Sequence, residues 1–197
     1  MRYLMAKMNE RTTQNIIECA KQEFFQYGYK KATLVSICNK AGITTGAFYK
    51  RFINKEDLFQ TIVAPTVREL IDRLEKSKSL GNGLIMPEWS YIFIYSHRDV
   101  FQILVRCNET PFYNIFIRKC TDLIAQTIQM KYSIEPHFYP SISSIIKSYL
   151  LAFFEIIQYN SEFKTTQHYI KLLESFYSIN SLHKLQDINE EVIPSDE

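Results

Sequence analysis

The stretch that most constrains this chain is residues 33–52, TLVSICNKAGITTGAFYKRF, because it reads as two short helices joined by a tight turn. Apolar residues recur at helical spacing in its first half, behind Thr33, a residue suited to cap a helix. Gly42 supplies the turn, and Thr44 is placed to cap the second helix. This arrangement is typical of a helix-turn-helix.

The second predicted helix has two unlike sides. Phe48 and Phe52 are expected to face the core, while the opposite side carries no acid. No Asp or Glu occurs between Glu23 and Glu56, although a free surface helix usually shows several carboxylates. The same interval holds six cations: Lys30, Lys31, Lys40, Lys50, Arg51 and Lys55. A helix-turn-helix needs such a face if its second helix is to lie against phosphates in a DNA major groove.

The run from Gly28 to Phe59, GYKKATLVSICNKAGITTGAFYKRFINKEDLF, resembles the DNA-binding domain of the TetR-type (TetR/AcrR-like) bacterial transcriptional regulators. That family's pattern is roughly Gly-Tyr, a Thr cap, Ile-Ala, Ala-Gly-Val-Ser, a small residue, Leu-Tyr, His-Phe, Lys-Glu and Leu, and its ordered spacing makes the resemblance specific. Two positions depart from it. Cys38 replaces the usual Ala, a conservative change at a buried site, and Arg51 replaces a common His while keeping a phosphate donor.

The resemblance implies an all-α fold with an N-terminal three-helix helix-turn-helix DNA-binding head and a larger C-terminal helical body for ligand binding and dimerisation. We predict the head in residues 1–53, the body in residues 54–186 and an acidic, disordered tail in residues 187–197. Residues 1–55 carry ten Lys and Arg against three Asp and Glu, a net charge of +7, whereas residues 56–197 carry thirteen against eighteen, a net charge of −5. This asymmetry indicates that only the head meets a polyanion.

Helical periodicity and capping signals predict the elements. The first helix is expected at about Thr13 to Tyr27, with Gly28 as its C-cap, and a fourth helix from Lys55 to about Ser77, capped by Asn54. Pro65 lies inside that fourth helix and is expected to bend or break it, as a hinge or as a fixed kink. Residues 77–83 read as a linker. Five body helices are predicted at about residues 87–96, 98–107, 110–132, 140–160 and 165–185.

The sequence shows no catalytic or metal-binding motif. Cys19, Cys38, Cys107 and Cys120 are scattered without a CxxC pair, the histidines form no HExxH, and no P-loop or nucleophile elbow occurs. We therefore expect no enzyme activity, no cofactor and no metal, while a redox role for Cys107 or Cys120 stays open. No uninterrupted apolar run approaches the roughly 18 residues that span a bilayer, and the first eleven residues lack the apolar centre of a signal peptide. A cytoplasmic protein without membrane contact is expected.

The helix-turn-helix assigns candidate roles toward DNA. Phosphate contacts are expected from Thr33, Tyr49, Lys50, Arg51 and Lys55, with Thr44 at the cap of the second helix. Candidates for contact with base edges are Thr45, Gly46, Ala47 and Tyr49. Because such short side chains carry little hydrogen-bond code, DNA shape and half-site spacing are expected to contribute strongly to operator choice.

The predicted body is rich in aromatic residues. Ordinary packing explains each ring by itself, but together they favour a ring-lined cavity for a small apolar, aromatic or cationic effector. Trp89, Tyr113 and Phe116 are the candidate lining residues. Glu155 interrupts the apolar run YLLAFFEIIQY, either as the counter-charge of a cationic ligand or as a residue at the rim of an interface.

The two C-terminal helices are the predicted dimer interface. Apolar residues recur at helical spacing at Ile145, Tyr149, Ala152, Phe153 and Ile156, and again at Ile170, Leu173, Phe176 and Tyr177. In the resembling family the corresponding helices of two subunits form a four-helix interface, and a dimer reads a palindromic operator in double-stranded DNA. The predicted function is a homodimeric, ligand-responsive transcriptional repressor. The alternative is a sensor or adaptor that binds a partner protein and keeps a vestigial head.

Overall fold

The computed structural model describes residues 2–77, 85–132, 136–159 and 162–177 of the chain. Within these ranges the regular structure is helical and no strand occurs, so the predicted all-α class is confirmed. A short 3-10 helix, Pro136–Phe138, precedes the eighth α-helix. The α-helices are α1 (Arg2–Lys31), α2 (Leu34–Ala41), α3 (Thr45–Tyr49), α4 (Lys55–Ser77), α5 (Glu88–Ser96), α6 (Arg98–Arg106), α7 (Pro111–Tyr132), α8 (Tyr139–Tyr159) and α9 (Phe163–Phe176).

The described residues pack as two compact units. The first unit lies within Met1–Glu69 and His97–Phe116, and the second unit lies within Leu70–Ser96 and Ile117–Glu197. The first unit therefore includes α6, which the sequence pattern had placed in the body. One face of α6 is apolar, with Val100, Phe101 and Leu104 buried. The boundaries of these two units do not coincide with residue 54, where the sequence predicts the boundary between the DNA-binding head and the body. That functional boundary stays a prediction.

Helix α1 begins at Arg2 instead of near Thr13, because residues 2–12 are mostly good helix formers. Gly28 interrupts the helix as predicted, but one further turn continues to Lys31. Its φ is 69°, and a Cβ placed there would lie 3.0 Å from the carbonyl oxygen of Arg106. Backbone conformation and close approach therefore both require glycine at this position.

The core of the first unit is built around aromatic rings. Phe24 of α1 and Phe59 of α4 are fully buried, and their ring centroids lie 5.5 Å apart at nearly a right angle. Phe48 of α3 is also fully buried and lies 5.4 Å from the ring of Phe52. Burying a side chain of this size contributes roughly 1.5–3 kcal/mol. The first pair attaches α4 to α1, and the second packs α3 against the segment that leads into α4.

Helix α4 has the predicted limits and the predicted cap. The Asn54 side chain accepts a hydrogen bond from the Asp57 N–H at 2.8 Å, and the Asp57 carboxylate accepts one from the Ile53 N–H at 2.8 Å. Pro65 is exposed, and helical structure continues on both sides of it. This residue therefore does not break the helix. Whether Pro65 acts as a hinge stays a prediction.

The second unit has its core on α8. Ile146, Tyr149, Phe153 and Phe154 are almost fully buried, and α8 packs against α9. Among the described residues, Pro136–Tyr159 is the one stretch long and apolar enough to cross a bilayer by length and composition. A core helix passes the same test, and these buried side chains make α8 such a helix.

Apart from the end of the last helix, which lies at Phe176 instead of near residue 185, the remaining limits of the predicted helices agree to within about two residues. Helix α5 begins one residue after Pro87, and Pro111 occupies the first position of α7, as expected for a proline at a helix start. The last helix is described as far as Phe176. The predicted linker beyond Ser77 and the acidic tail lie outside the described residues.

Candidate nucleic-acid interface

The helix-turn-helix has the predicted caps. The Thr33 hydroxyl accepts a hydrogen bond from the Ser36 N–H at 3.1 Å, and the Thr44 hydroxyl accepts one from the Ala47 N–H at 3.2 Å. Gly42 adopts the left-handed conformation, with φ of 66° and ψ of 34°, at the end of α2. Each threonine hydroxyl accepts a bond within the chain and keeps its own proton, so both can donate to a phosphate oxygen.

The solvent-facing side of α3 carries the residues that the sequence placed there. Thr45, Gly46 and Lys50 are exposed, and Tyr49 is 59% exposed although its ring lies against the buried ring of Phe48. Ala47 is half-buried. We call Thr45, Gly46, Tyr49 and Lys50 the recognition face. Because Phe48 fixes α3 against the core, this face is held in a defined orientation within the first unit.

Gly46 is not required by the fold. A Cβ at this position would meet one atom within 4 Å, the Thr44 hydroxyl oxygen at 3.9 Å, and the backbone does not have positive φ. Glycine in a helix weakens it by roughly 0.5–1 kcal/mol relative to alanine. A destabilising glycine that the packing does not need is consistent with close approach by an external partner.

A buried ion pair joins α1 to α2. The Glu23 side chain is 3% exposed and accepts a hydrogen bond from the Lys40 ammonium at 2.6 Å. Burial alone would raise the pKa of Glu23, but hydrogen bonds from Lys40, from Ser36 and from the Thr33 N–H hold this pKa below its ordinary value. This ion pair gives Glu23, the last acid before the acid-free residues 24–55, a partner within the fold. It also engages Lys40, one of the six cations of that interval.

Lys55, which the sequence predicts on a phosphate, makes contacts within the chain. Its ammonium donates to the carbonyl oxygens of Tyr29 at 2.7 Å and of Ala32 at 2.9 Å, and it lies 4.3 Å from the Tyr29 ring centroid. Tyr29 lies in α1 beyond the Gly28 kink, and Ala32 directly follows that helix. A cation at the start of α4 is therefore explained within the chain, without the phosphate partner that the sequence suggested.

Arg51 is also occupied within the chain. One guanidinium nitrogen donates to the Ala47 carbonyl at 2.9 Å, and another donates to the Asn9 side chain at 3.1 Å. Its Nε is buried and has no hydrogen-bond partner among the described residues. Arg51 thus ties the first turns of α1 to the end of α3. Sequence reasoning missed this role because Asn9 lies far from Arg51 along the chain.

Lys50 is the cation left for phosphate contact on the recognition face. Its side chain is exposed and makes no hydrogen bond or ion pair with the residues that the structure describes. Lys30 and Lys31 are exposed at the end of α1 and add positive charge to the first unit.

The candidate effector residues fall in different places. Tyr113 and Phe116 are buried in the first unit, Trp89 is half-buried in the second unit, and Glu155 is exposed on α8. Exposure of Glu155 agrees with the interface alternative better than with a counter-charge inside a cavity. Sequence reasoning missed a carboxylate on α9, Glu174, because only the folded chain shows its buried surroundings.

The cysteines do not have the character of reactive thiols. Cys107 and Cys120 are buried, and burial raises the pKa of Cys107 to about 12 and raises the pKa of Cys120 as well. Since the thiolate is the reactive form, neither side chain is activated. Across the described ranges, His, Cys, Asp and Glu form no group that could hold a metal ion.

Comparison with known proteins points to one family. Residues 16–62 match the family described as "Bacterial regulatory proteins, tetR family". The protein named "Probable acrEF/envCD operon repressor" from Escherichia coli K12 is 43% identical over 63 residues, which is 31% of this chain and 29% of that protein. The regulator SrpR of Pseudomonas putida is 42% identical over 85 residues, which is 43% of this chain and 38% of that protein. The chain thus spans well under half of either relative's length.

A solved structure extends the likeness to the rest of the fold. A transcriptional regulator of the "TerR/AcrR family" from Aquifex aeolicus VF5 aligns with a TM-score of 0.53 at 21% identity, over 88% of this chain and 99% of that one. At this identity the likeness concerns the fold alone. The matched sequence lies in the helix-turn-helix region, which contains the recognition face.

Proposed function

We propose that this chain is a TetR/AcrR-type transcriptional regulator and that it acts as a homodimeric repressor released from a palindromic operator by a small molecule. The match of its residues 16–62 to the tetR family of bacterial regulatory proteins supports this proposal. The relatives it matches are named as regulators and repressors of transcription, and none is named as an enzyme. A cytoplasmic location is part of the proposal, because the chromosomal DNA that the protein would bind lies there.

The observation that carries the proposal is the recognition face. It is exposed and acid-free, it stands on a helix fixed by a buried phenylalanine, and Gly46 leaves room for close approach. Lys50 and the hydroxyls of Thr33 and Thr44 supply phosphate donors beside it. A helix presented in this way suits a major groove, with phosphate contacts fixing its register. Arg51 and Lys55 are the other predicted phosphate contacts. Their side chains make hydrogen bonds within the chain, and we propose that they contribute by holding the recognition face in place.

Dimerisation is proposed through α8 and α9. Part of the stripe predicted from sequence packs within the chain, since Tyr149, Phe153 and Ile170 are buried. Large apolar side chains are nevertheless exposed on both helices: Leu151 and Tyr159 on α8, and Tyr169, Leu172 and Phe176 on α9. Phe176 is 73% exposed. A second copy would cover this surface, and a two-fold dimer would read two half-sites.

Ligand control is proposed as a population shift. An effector would select a conformation of the dimer in which the two recognition faces no longer match adjacent half-sites. The effector is proposed to be a small apolar, aromatic or cationic molecule, and the ring-rich packing of both units supports this class.

The test is a fluorescence anisotropy titration of the full chain with a duplex from the DNA upstream of its own gene, repeated over a series of salt concentrations. We expect Lys50→Ala to weaken binding and to reduce the slope of log affinity against log salt by about one. Lys76→Ala is the matched control, since Lys76 is an exposed lysine in the last turn of α4.

Two results would contradict the proposal. One is equal salt slopes for the Lys50 variant, the Lys76 variant and the unaltered protein. The other is failure to retain any duplex at low ionic strength, which would favour a sensor with a vestigial head. Analytical ultracentrifugation of the same samples checks the dimer, which Leu172→Glu and Phe176→Glu together are expected to dissociate.

A further inference from the structure

Three polar side chains of the second unit form a connected hydrogen-bonded group. The hydroxyl oxygens of Tyr91 on α5 and Tyr149 on α8 lie 2.8 Å apart. The Tyr91 hydroxyl is also hydrogen-bonded to the carboxyl group of Glu174 on α9. The group therefore links three helices, and Tyr149 is fully buried.

The number of available protons determines which side chain donates in each hydrogen bond of this group. A tyrosine hydroxyl has one proton, and an ionised carboxylate can only accept. The Tyr91 proton is therefore donated to Glu174, and the Tyr149 proton is donated to the Tyr91 oxygen. Both hydroxyl protons are used, so neither tyrosine has another to offer.

One oxygen of Glu174 remains unsatisfied. Oε1 is buried and has no hydrogen-bond partner among the described residues. A buried acceptor without a donor destabilises the fold, and more so when the group is charged. Burial raises the pKa of Glu174 and nearby Glu88 adds to this, while Tyr91 and exposed Lys171 oppose it. A half-buried carboxylate whose buried oxygen has no donor among the described residues is suited to accept a proton from a bound group.

Aromatic rings surround the group. The Phe153 ring lies 5.5 Å from the Tyr91 ring, and the Tyr177 ring lies 5.7 Å from the Tyr149 ring, both with an edge toward a face. Ring faces attract cations, and the attraction increases when water is excluded. A carboxylate oxygen and several rings in one place favour a positively charged group that bears an N–H.

We propose that Glu174, Tyr91 and Tyr149 form the recognition site of a protonated aryl-alkyl amine, with Oε1 of Glu174 accepting its ammonium proton and the surrounding rings holding its apolar part. This inference rests on the proposed ligand response and specifies its chemistry. An anion would be repelled by the carboxylate, and a neutral hydrocarbon would leave Oε1 unsatisfied. Glu174 thus replaces Glu155 as the counter-charge.

The test compares two probes that differ in one group, 4-phenylbutylamine and 4-phenylbutan-1-ol. Isothermal titration calorimetry with the full chain at pH 7 is expected to show tighter binding of the amine by about tenfold or more, the usual scale for a hydrogen bond to a charged partner. Glu174→Gln is expected to abolish this preference. Glu155→Gln, a matched change at an exposed site on α8, is expected to preserve it.

Thermal unfolding of the Glu174→Gln variant guards against misfolding. A single cooperative transition, as in the unaltered protein and in Glu155→Gln, is expected, so that a lost amine preference reports the site and not unfolding. Three results would each overturn the proposed site. They are equal affinity for both probes, no amine binding at millimolar concentration, and an amine preference that survives Glu174→Gln.

The DNA titration separates this inference from the proposed function. If the duplex binds and the amine does not, the site is wrong and the regulator remains. If the amine binds through Glu174 and no duplex does, the site stands and the proposed function fails.

Discussion

Each unit contains a glutamate with a buried carboxylate oxygen, and the surroundings of the two glutamates differ. In the first unit, Glu23 accepts hydrogen bonds from Lys40 and from the start of α2, and its pKa is lowered. In the second unit, Glu174 keeps one buried oxygen without a donor among the described residues, and its pKa is raised. A satisfied carboxylate fixes its surroundings, whereas an unsatisfied one is suited to receive a partner.

This contrast agrees with what each unit is proposed to do. A recognition face must be held in place before it meets a rigid duplex, and Lys55, Arg51 and Lys40 are all used for that purpose. A site for an effector must instead gain stability when its ligand arrives. The following predictions test whether the two units differ in this way.

The largest effect is expected from removing an internal contact of the first unit. Lys55→Met leaves the carbonyls of Tyr29 and Ala32 without their ammonium donor, so the free energy of unfolding should fall by about 2–3 kcal/mol. Urea unfolding followed by circular dichroism measures this loss. Lys50→Met, an exposed control, should stay within about 0.5 kcal/mol of the unaltered protein. Equal losses would mean that Lys55 has no special structural role.

The next effect is a pH dependence from Glu23. Because its folded pKa lies below the ordinary 4.5, its contribution to stability is present above pH 4.5 and is lost as the pH falls through the folded pKa. Glu23→Gln should therefore lower the free energy of unfolding by about 1–3 kcal/mol at pH 7 and by less in acid. Thermal unfolding at several pH values measures the difference, and a loss independent of pH would contradict it.

Glu174 should show the opposite sign. Its folded pKa lies above the ordinary 4.5, so it favours the folded state most below pH 4.5 and loses that contribution as the pH rises through the folded pKa. Relative to the unaltered protein, Glu174→Gln should become more stable as the pH rises. The same unfolding series applies. Parallel pH profiles for the two glutamine variants would remove the contrast between the units.

The smallest effect on stability is expected at Gly46. Gly46→Ala should stabilise the first unit by about 0.5–1 kcal/mol, since a Cβ fits and helices favour alanine. The same change should weaken duplex binding by about tenfold, which corresponds to roughly 1.4 kcal/mol, because the methyl group stands on the recognition face. Melting and anisotropy on one sample distinguish the two effects. A variant with unchanged affinity would show that Gly46 does not approach DNA.

Local rules predicted the helix-turn-helix well. The caps at Thr33, Thr44 and Asn54, the turn at Gly42 and the burial of Phe48 all follow from signals within a few residues of each position. The exposed, acid-free side of α3 could be read from periodicity in the same way. These features depend on neighbours along the chain, so the sequence is sufficient to predict them.

Long-range contacts were the part that pattern reasoning missed. The carbonyl partners of Lys55 lie more than twenty residues away in sequence, and Asn9 lies 42 residues from Arg51. Both side chains look like free cations in sequence, because nothing local indicates which carbonyl or amide will lie beside them. The stripe predicted for dimerisation was likewise used partly for packing within the chain.

The sequence by itself determined the helical class, the position of the helix-turn-helix and the basic character of its surface, since these depend on spacing, capping and charge order. Tertiary structure decided which cations remain available to DNA and which carboxylate lacks a partner. The physical reason is that hydrogen bonding and desolvation depend on which groups meet in space, and residues distant in sequence supply those groups.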